Sequence, residues 1–111
     1  MKKIKIKLDG GWYASLHSAY VKAIRQFECH SEHDHLLLEH AQDLCHTMGK
    51  KLLDDQTQYT ISLTSVEALA YAQWWSVNQL DPSSLEFVTM SKVLGQIDQY
   101  SKAPKKQIGW R

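Results

Sequence analysis

Thr64-Ser-Val-Glu-Ala-Leu-Ala-Tyr-Ala-Gln-Trp-Trp-Ser-Val-Asn-Gln-Leu80 is the stretch that decides how this chain of 111 residues is read. Thr64 followed three residues later by Glu67 forms a capping box, in which hydroxyl and carboxylate each take a backbone N–H that the first helical turn leaves unpaired. At about 100° per residue, Val66, Leu69, Ala70, Trp74, Val77 and Leu80 share one broad face, while Tyr71, Ala72 and Trp75 spread over much of the rest. A helix that is apolar nearly all round is buried on several sides. The segment is therefore expected to be the central helix, with the Val66 to Leu80 face in the core and Trp75 nearly opposite it.

Working outward, Tyr59-Thr-Ile-Ser-Leu63 alternates with period two and is rich in residues that suit a pleated surface, so it predicts a strand with Tyr59, Ile61 and Leu63 inward. Lys3-Ile-Lys-Ile-Lys-Leu8 alternates in the same way, with the lysines on a wet side. Asp9-Gly10-Gly11 ends that strand, glycine being the residue that tolerates positive φ at a sharp turn. From Trp12 to about Glu28, Tyr13, Leu16, Tyr20, Ala23, Ile24 and Phe27 recur at helical spacing. A second helix is expected from Asp34 to about Leu53, with Leu37, Leu38, Ala41, Leu44, Cys45, Met48 and Leu52 as its stripe and Gly49 weakening its last turn. After Leu80, Asp81 reads as a cap and Pro82 as the first residue of a fourth helix, which carries Phe87, Met90, Leu94 and Ile97 to about Tyr100. Residues 102–111 show no period and read as a flexible basic tail after a single domain over 1–101. The fold class is α+β and mostly helical, in the order β-α-α-β-α-α. Its two short strands are most simply antiparallel and must lie on the four helices, because a lone ribbon is marginal in water.

Hydrophobic residues at 43% and charged residues at 23% are ordinary for a globular domain and exclude a disordered or collagen-like chain. No apolar run reaches the roughly 18 residues of a membrane span, and the N-terminus lacks the apolar block of a secretory signal, so the expected location is the cytoplasm with Cys29 and Cys45 as free thiols. The net charge of +1 is unevenly spread. Residues 1–7 and 102–111 carry eight of the thirteen basic groups, leaving five basic against twelve acidic groups between them. Charged ends solubilise strands and tails. They also offer Lys3, Lys5, Lys7, Lys105 and Lys106 to the phosphates of a nucleic acid, although no base-reading motif accompanies them.

Five of the six histidines and both cysteines fall between Cys29 and His46, and thiolate with imidazole is the donor set zinc prefers. Spacing restricts that reading. His35, His40, Cys45 and His46 make no i, i+4 pair, and His33 and His40, on one helix face, stand about 10 Å apart. Only Cys29, His30, His33 and His35 would close on a metal, and then only if the interhelix connection folded back, so no cofactor is assigned. Nucleophilic catalysis would rest on Cys29 beside His30 and His33, and Gly10-Gly11 lacks the glycine spacing and the lysine–hydroxyl pair of a phosphate loop. No catalytic constellation is recognised. Trp75, with Tyr71 and the tail residue Trp110, is the aromatic set from which a partner anchor would be drawn, since tryptophan is enriched in such anchors.

The run Tyr59-Thr-Ile-Ser-Leu-Thr-Ser-Val-Glu-Ala-Leu-Ala70, the lysine-alternating first strand and the second helix ending in Lys50-Lys51-Leu52-Leu53 together resemble small bacterial proteins of mobile or accessory genomes. That likeness implies no assigned activity. The chain is accordingly expected to be a small non-catalytic protein-interaction or regulatory module that self-associates or binds another protein. Nucleic-acid binding through the basic termini and metal binding through segment 29–46 are the alternatives.

Overall fold

The computed structural model describes residues 3–108, with side chains described through residue 99. Its elements are β1 (Ile4–Asp9), α1 (Gly10–Gln26), α2 (Glu32–Lys51), β2 (Gln58–Leu63), α3 (Ser65–Val77) and α4 (Leu85–Ile108). This is the expected α+β order. The strands pair antiparallel, Ile4 opposite Leu63, Ile6 opposite Ile61 and Leu8 opposite Tyr59. All six of these apolar side chains are buried, so the ribbon lies on the helices by the face its period-two pattern marks.

Local chemistry sets the element boundaries. Asp9 ends β1 and caps α1, accepting the Trp12 N–H at 2.9 Å. The helix begins at Gly10 rather than Trp12, so the two glycines occupy its first turn. Gly10 is favoured there by close approach and not by a positive φ: its N–H donates to the Thr57 carbonyl at 3.0 Å, and a Cβ would stand 3.3 Å from the Gln56 carbonyl oxygen, which would have to give by a few tenths of an ångström. Ser31 caps α2, and Gly49 lies within the helix, opposite His17 of α1, where a Cβ would meet the imidazole at 3.2 Å. The capping box of α3 forms as expected, with Thr64 N donating to Glu67 Oε1 at 2.8 Å and Glu67 N to Thr64 Oγ1 at 3.1 Å.

The start of α4 differs from the sequence expectation. Asp81 uses its carboxylate on the N–H and hydroxyl of Ser83, at 3.0 and 2.9 Å, which makes a local turn and holds the carboxyl below its ordinary pKa. Ser84 then takes the capping role, its hydroxyl accepting the Phe87 N–H at 3.1 Å. The helix also continues to Ile108, past the Tyr100 end and into the stretch expected to be a tail.

Helix α1 is the centre of the packing, in contact with α2, α4 and both strands. Its Tyr20 is enclosed by three rings of α3, with centroids 6.2 Å from Tyr71, 6.3 Å from Trp74 and 4.9 Å edge-on from Trp75. Phe27 closes the cluster against Trp74 at 4.8 Å. Tyr13 stacks on Tyr59 at 4.3 Å, and the Tyr59 hydroxyl donates to the Asp54 carbonyl at 2.7 Å, fixing the α2–β2 connection to the core. Across α1 and α4, Ser18 and Lys22 both reach Glu86.

The orientation of α3 corrects the helical-wheel reading. Ala68, Tyr71, Trp74 and Trp75 face the core, whereas Val66, Leu69 and Val77, assigned there from the sequence, are exposed. Of the expected face, Trp74 is fully in the core and Leu80, beyond the helix end, packs partly buried against it. On a helix with apolar residues all round, orientation follows the side chains with most area to remove from water, and three rings outweigh two valines and a leucine.

Candidate interaction groove

Trp75 is 5% exposed and Tyr71 0%, so neither ring is available as a surface anchor. Tyr71 donates its hydroxyl to the Met90 carbonyl at 3.2 Å, and burial pushes its pKa well above the ordinary tyrosine value. Trp110 lies outside the described residues. Two of the three anchors proposed from the sequence, Tyr71 and Trp75, are thus core residues, and the apolar surface of α3 is on its other side.

That side forms one wall of a groove between α2 and α3, with a volume of about 510 Å³. Leu37, Leu44 and Leu63 lie along its base, and Leu36, Val66 and Leu69, respectively 65%, 74% and 59% exposed, stand along its edges. Its polar residues include Asp43, Glu67, Gln73, His33 and His40, and among the described residues no lysine or arginine lines it. Glu67 is held in place by its reciprocal bonds with Thr64.

His40 has a particular position in this wall. Its Nε2 is buried without a hydrogen-bond partner among the described residues. Burial lowers its pKa, while the carboxylates of Glu67 and Asp43 act in the opposite direction. The imidazole is therefore a half-buried neutral group beside two carboxylates. The shared face of His33 and His40 was legible from their spacing; the groove was not, because it depends on the orientation of α3.

The remaining Cys/His residues do not converge. His30 precedes the cap of α2, its backbone N–H donating to Asp34 Oδ2 at 2.9 Å and its imidazole 3.5 Å from Glu28. His33 and His35 are exposed two positions apart in the first helical turn. Cys29 and Cys45 are unpaired thiols, and burial raises the pKa of Cys45, which packs against the core. Among the described residues, no three His, Cys, Asp or Glu side chains are grouped to hold a metal ion.

Lys3, Lys5 and Lys7 are exposed on the outer face of the ribbon. Lys105 and Lys106 belong to the helical continuation of α4, and their side chains lie outside the described ones. No helix among the described residues is long and apolar enough to cross a membrane.

Comparison with protein-family models, with curated proteins and with solved structures finds no match to any of them. The likeness to small bacterial accessory proteins rests on the residues quoted for it alone.

Proposed function

We propose that the chain is a non-catalytic interaction module that self-associates, with the α2–α3 groove of one copy receiving the basic end of α4 from another. The observation that carries this reading is the groove itself, where Leu36, Val66 and Leu69 are exposed beside Asp43 and Glu67 with no lysine or arginine among the described residues that line it. Exposed apolar surface of this kind marks interaction sites, and the carboxylates call for a partner bearing lysine or arginine. The chain holds such a segment. Beyond Gln99, α4 runs nine more residues to Ile108, a length of about 13 Å. In that stretch Tyr100, Pro104 and Ile108 recur every fourth residue among Lys102, Lys105 and Lys106. Laying a helix into an apolar groove is a recurrent mode of recognition, and mutual exchange of the segment gives a closed two-fold dimer.

Size-exclusion chromatography with light scattering tests the proposal. The full chain is expected to run as a dimer, and deletion of residues 101–111 or Leu69→Glu should each return it to a monomer with unchanged far-UV circular dichroism. A monomeric full chain, or a dimer indifferent to both changes, would overturn it.

A further inference from the structure

A second surface, on the opposite side of the ribbon from the core, has chemistry of its own. In the β1–β2 pairing, Lys5 stands opposite Ser62 and Lys7 opposite Thr60, with Lys3 and Gln58 continuing the same face towards its two ends. Lys51, at the end of α2, donates its ammonium to the backbone carbonyl of Thr60 at 3.0 Å, beside this face rather than on it. Three lysines thus share a surface with two hydroxyls, an amide and, at its end, the Asp9 carboxylate. Asp9 is the one carboxylate among the ribbon residues, and it is engaged by the N–H of Trp12. Lys3, Lys5 and Lys7 make no ion pair among the described residues.

We infer that this outer face of the β1–β2 ribbon is a binding site for duplex DNA, with Lys3, Lys5 and Lys7 on phosphates and Ser62, Thr60 and Gln58 supplying hydrogen bonds between them. The choice of ligand follows from what the face carries and lacks. Lysines on one side of a strand recur every two residues, about 6.8 Å apart, which presents a line of cations to a polyanion. An antiparallel pair of strands is narrow enough for the B-form major groove, about 12 Å wide, whereas the deep and narrow major groove of A-form RNA does not admit it. Single strands are held chiefly by stacking on aromatic side chains, and membrane surfaces by apolar side chains inserted below the headgroups. The outer face has neither: Tyr59, Ile61 and Leu63 point to the core with Ile4, Ile6 and Leu8. The site shares no residue with the α2–α3 groove except Ser62 at its margin, so it stands or falls independently of self-association.

The test is fluorescence anisotropy of the full chain with a labelled B-form duplex across a salt series, alongside a single strand, a duplex RNA and vesicles containing anionic lipid. Binding to duplex DNA is expected to weaken about 40-fold for a fourfold rise in salt if three phosphates are neutralised, from a logarithmic slope of about −0.9 per contact. Lys5→Glu with Lys7→Glu should abolish binding at moderate salt with the circular dichroism unchanged, whereas Arg25→Glu, an exposed cation on α1 away from the ribbon, should leave affinity within twofold. No binding at low salt, equal binding by the double variant, or preference for the single strand, the RNA or the vesicles would overturn the assignment.

Discussion

Replacing Trp75 and Leu69 in turn by alanine tests the orientation of α3, because the two readings of this helix predict opposite orders of damage. Trp75 is 5% exposed and its ring meets Tyr20 edge-on at 4.9 Å. Burial of about 200 Å² at about 25 cal/mol per Å² gives roughly 5 kcal/mol, and the aromatic contact adds about 0.5–1 kcal/mol. Against this stands the indole N–H, buried near the Tyr20 and Tyr71 hydroxyls without a hydrogen bond of good geometry among the described residues, so its removal relieves about 1–2 kcal/mol. The net cost of Trp75→Ala is then about 4 kcal/mol, within the range of large aromatic truncations in cores. Leu69 is 59% exposed, so less than half of a buried leucine's roughly 2 kcal/mol is at stake and Leu69→Ala should cost under about 1 kcal/mol. Urea unfolding followed by far-UV circular dichroism measures both. In a domain of this size the same differences lower the melting temperature by about 15 °C and by less than about 4 °C. A Leu69→Ala cost above that of Trp75→Ala would refute the argument and restore the Val66–Leu69–Val77 face to the core.

Gly10→Ala should destabilise by about 1–2 kcal/mol in urea unfolding, since the added methyl meets a backbone carbonyl oxygen at 3.3 Å. Ser84→Ala should cost about 1 kcal/mol as the loss of a helix cap, and a larger effect from Asp81→Ala would return the cap to Asp81. His40 has a folded pKa lowered chiefly by burial, so the unfolded chain binds its proton more readily. Its contribution is complete above pH about 6.5 and declines as pH falls from there towards the folded value, and His40→Leu should flatten the dependence of the urea midpoint over that interval. Tyr13 has its pKa pushed up to about 12 by burial and then by Tyr59, so stability present below pH 10 falls as pH rises towards 12. Tyr13→Phe should make that decline shallower without removing it, because burial also raises Tyr20 and Tyr71.

The strands and helix starts were legible where one residue type has one physical role. Alternation placed Ile4, Ile6, Leu8, Tyr59, Ile61 and Leu63 on the buried side, because a strand exposes its two faces at a period that admits no intermediate orientation. Thr64 and Glu67 marked the start of α3 because a capping box is a contact within four residues. The stripes of α1 and α2 were equally clear, each having a polar side to contrast with its apolar one. The start of α4 was less so: Asp81, Ser83 and Ser84 can all accept backbone N–H groups, and which of them caps the helix depends on the turn made by the others.

The groove was hidden for the reason that made α3 prominent. With apolar residues on every side, the helix offers two faces to a core that can take one, and its sequence does not rank them without the shape of the partner. Tyr20 of α1 supplies that shape, seating Tyr71, Trp74 and Trp75 around a single ring. The losing face is then held outside together with Glu67, which its capping bonds fix at the helix start, and it meets Leu36, His40 and Asp43 of α2. Surface and core of α3 are therefore coupled: a substitution that weakens the fit around Tyr20 should also alter the groove. Tyr20→Ala is expected to lower stability and self-association together, whereas Leu69→Glu should lower self-association alone. If Tyr20→Ala left the dimer intact while destabilising the fold, the groove would owe its form to something other than the orientation of α3.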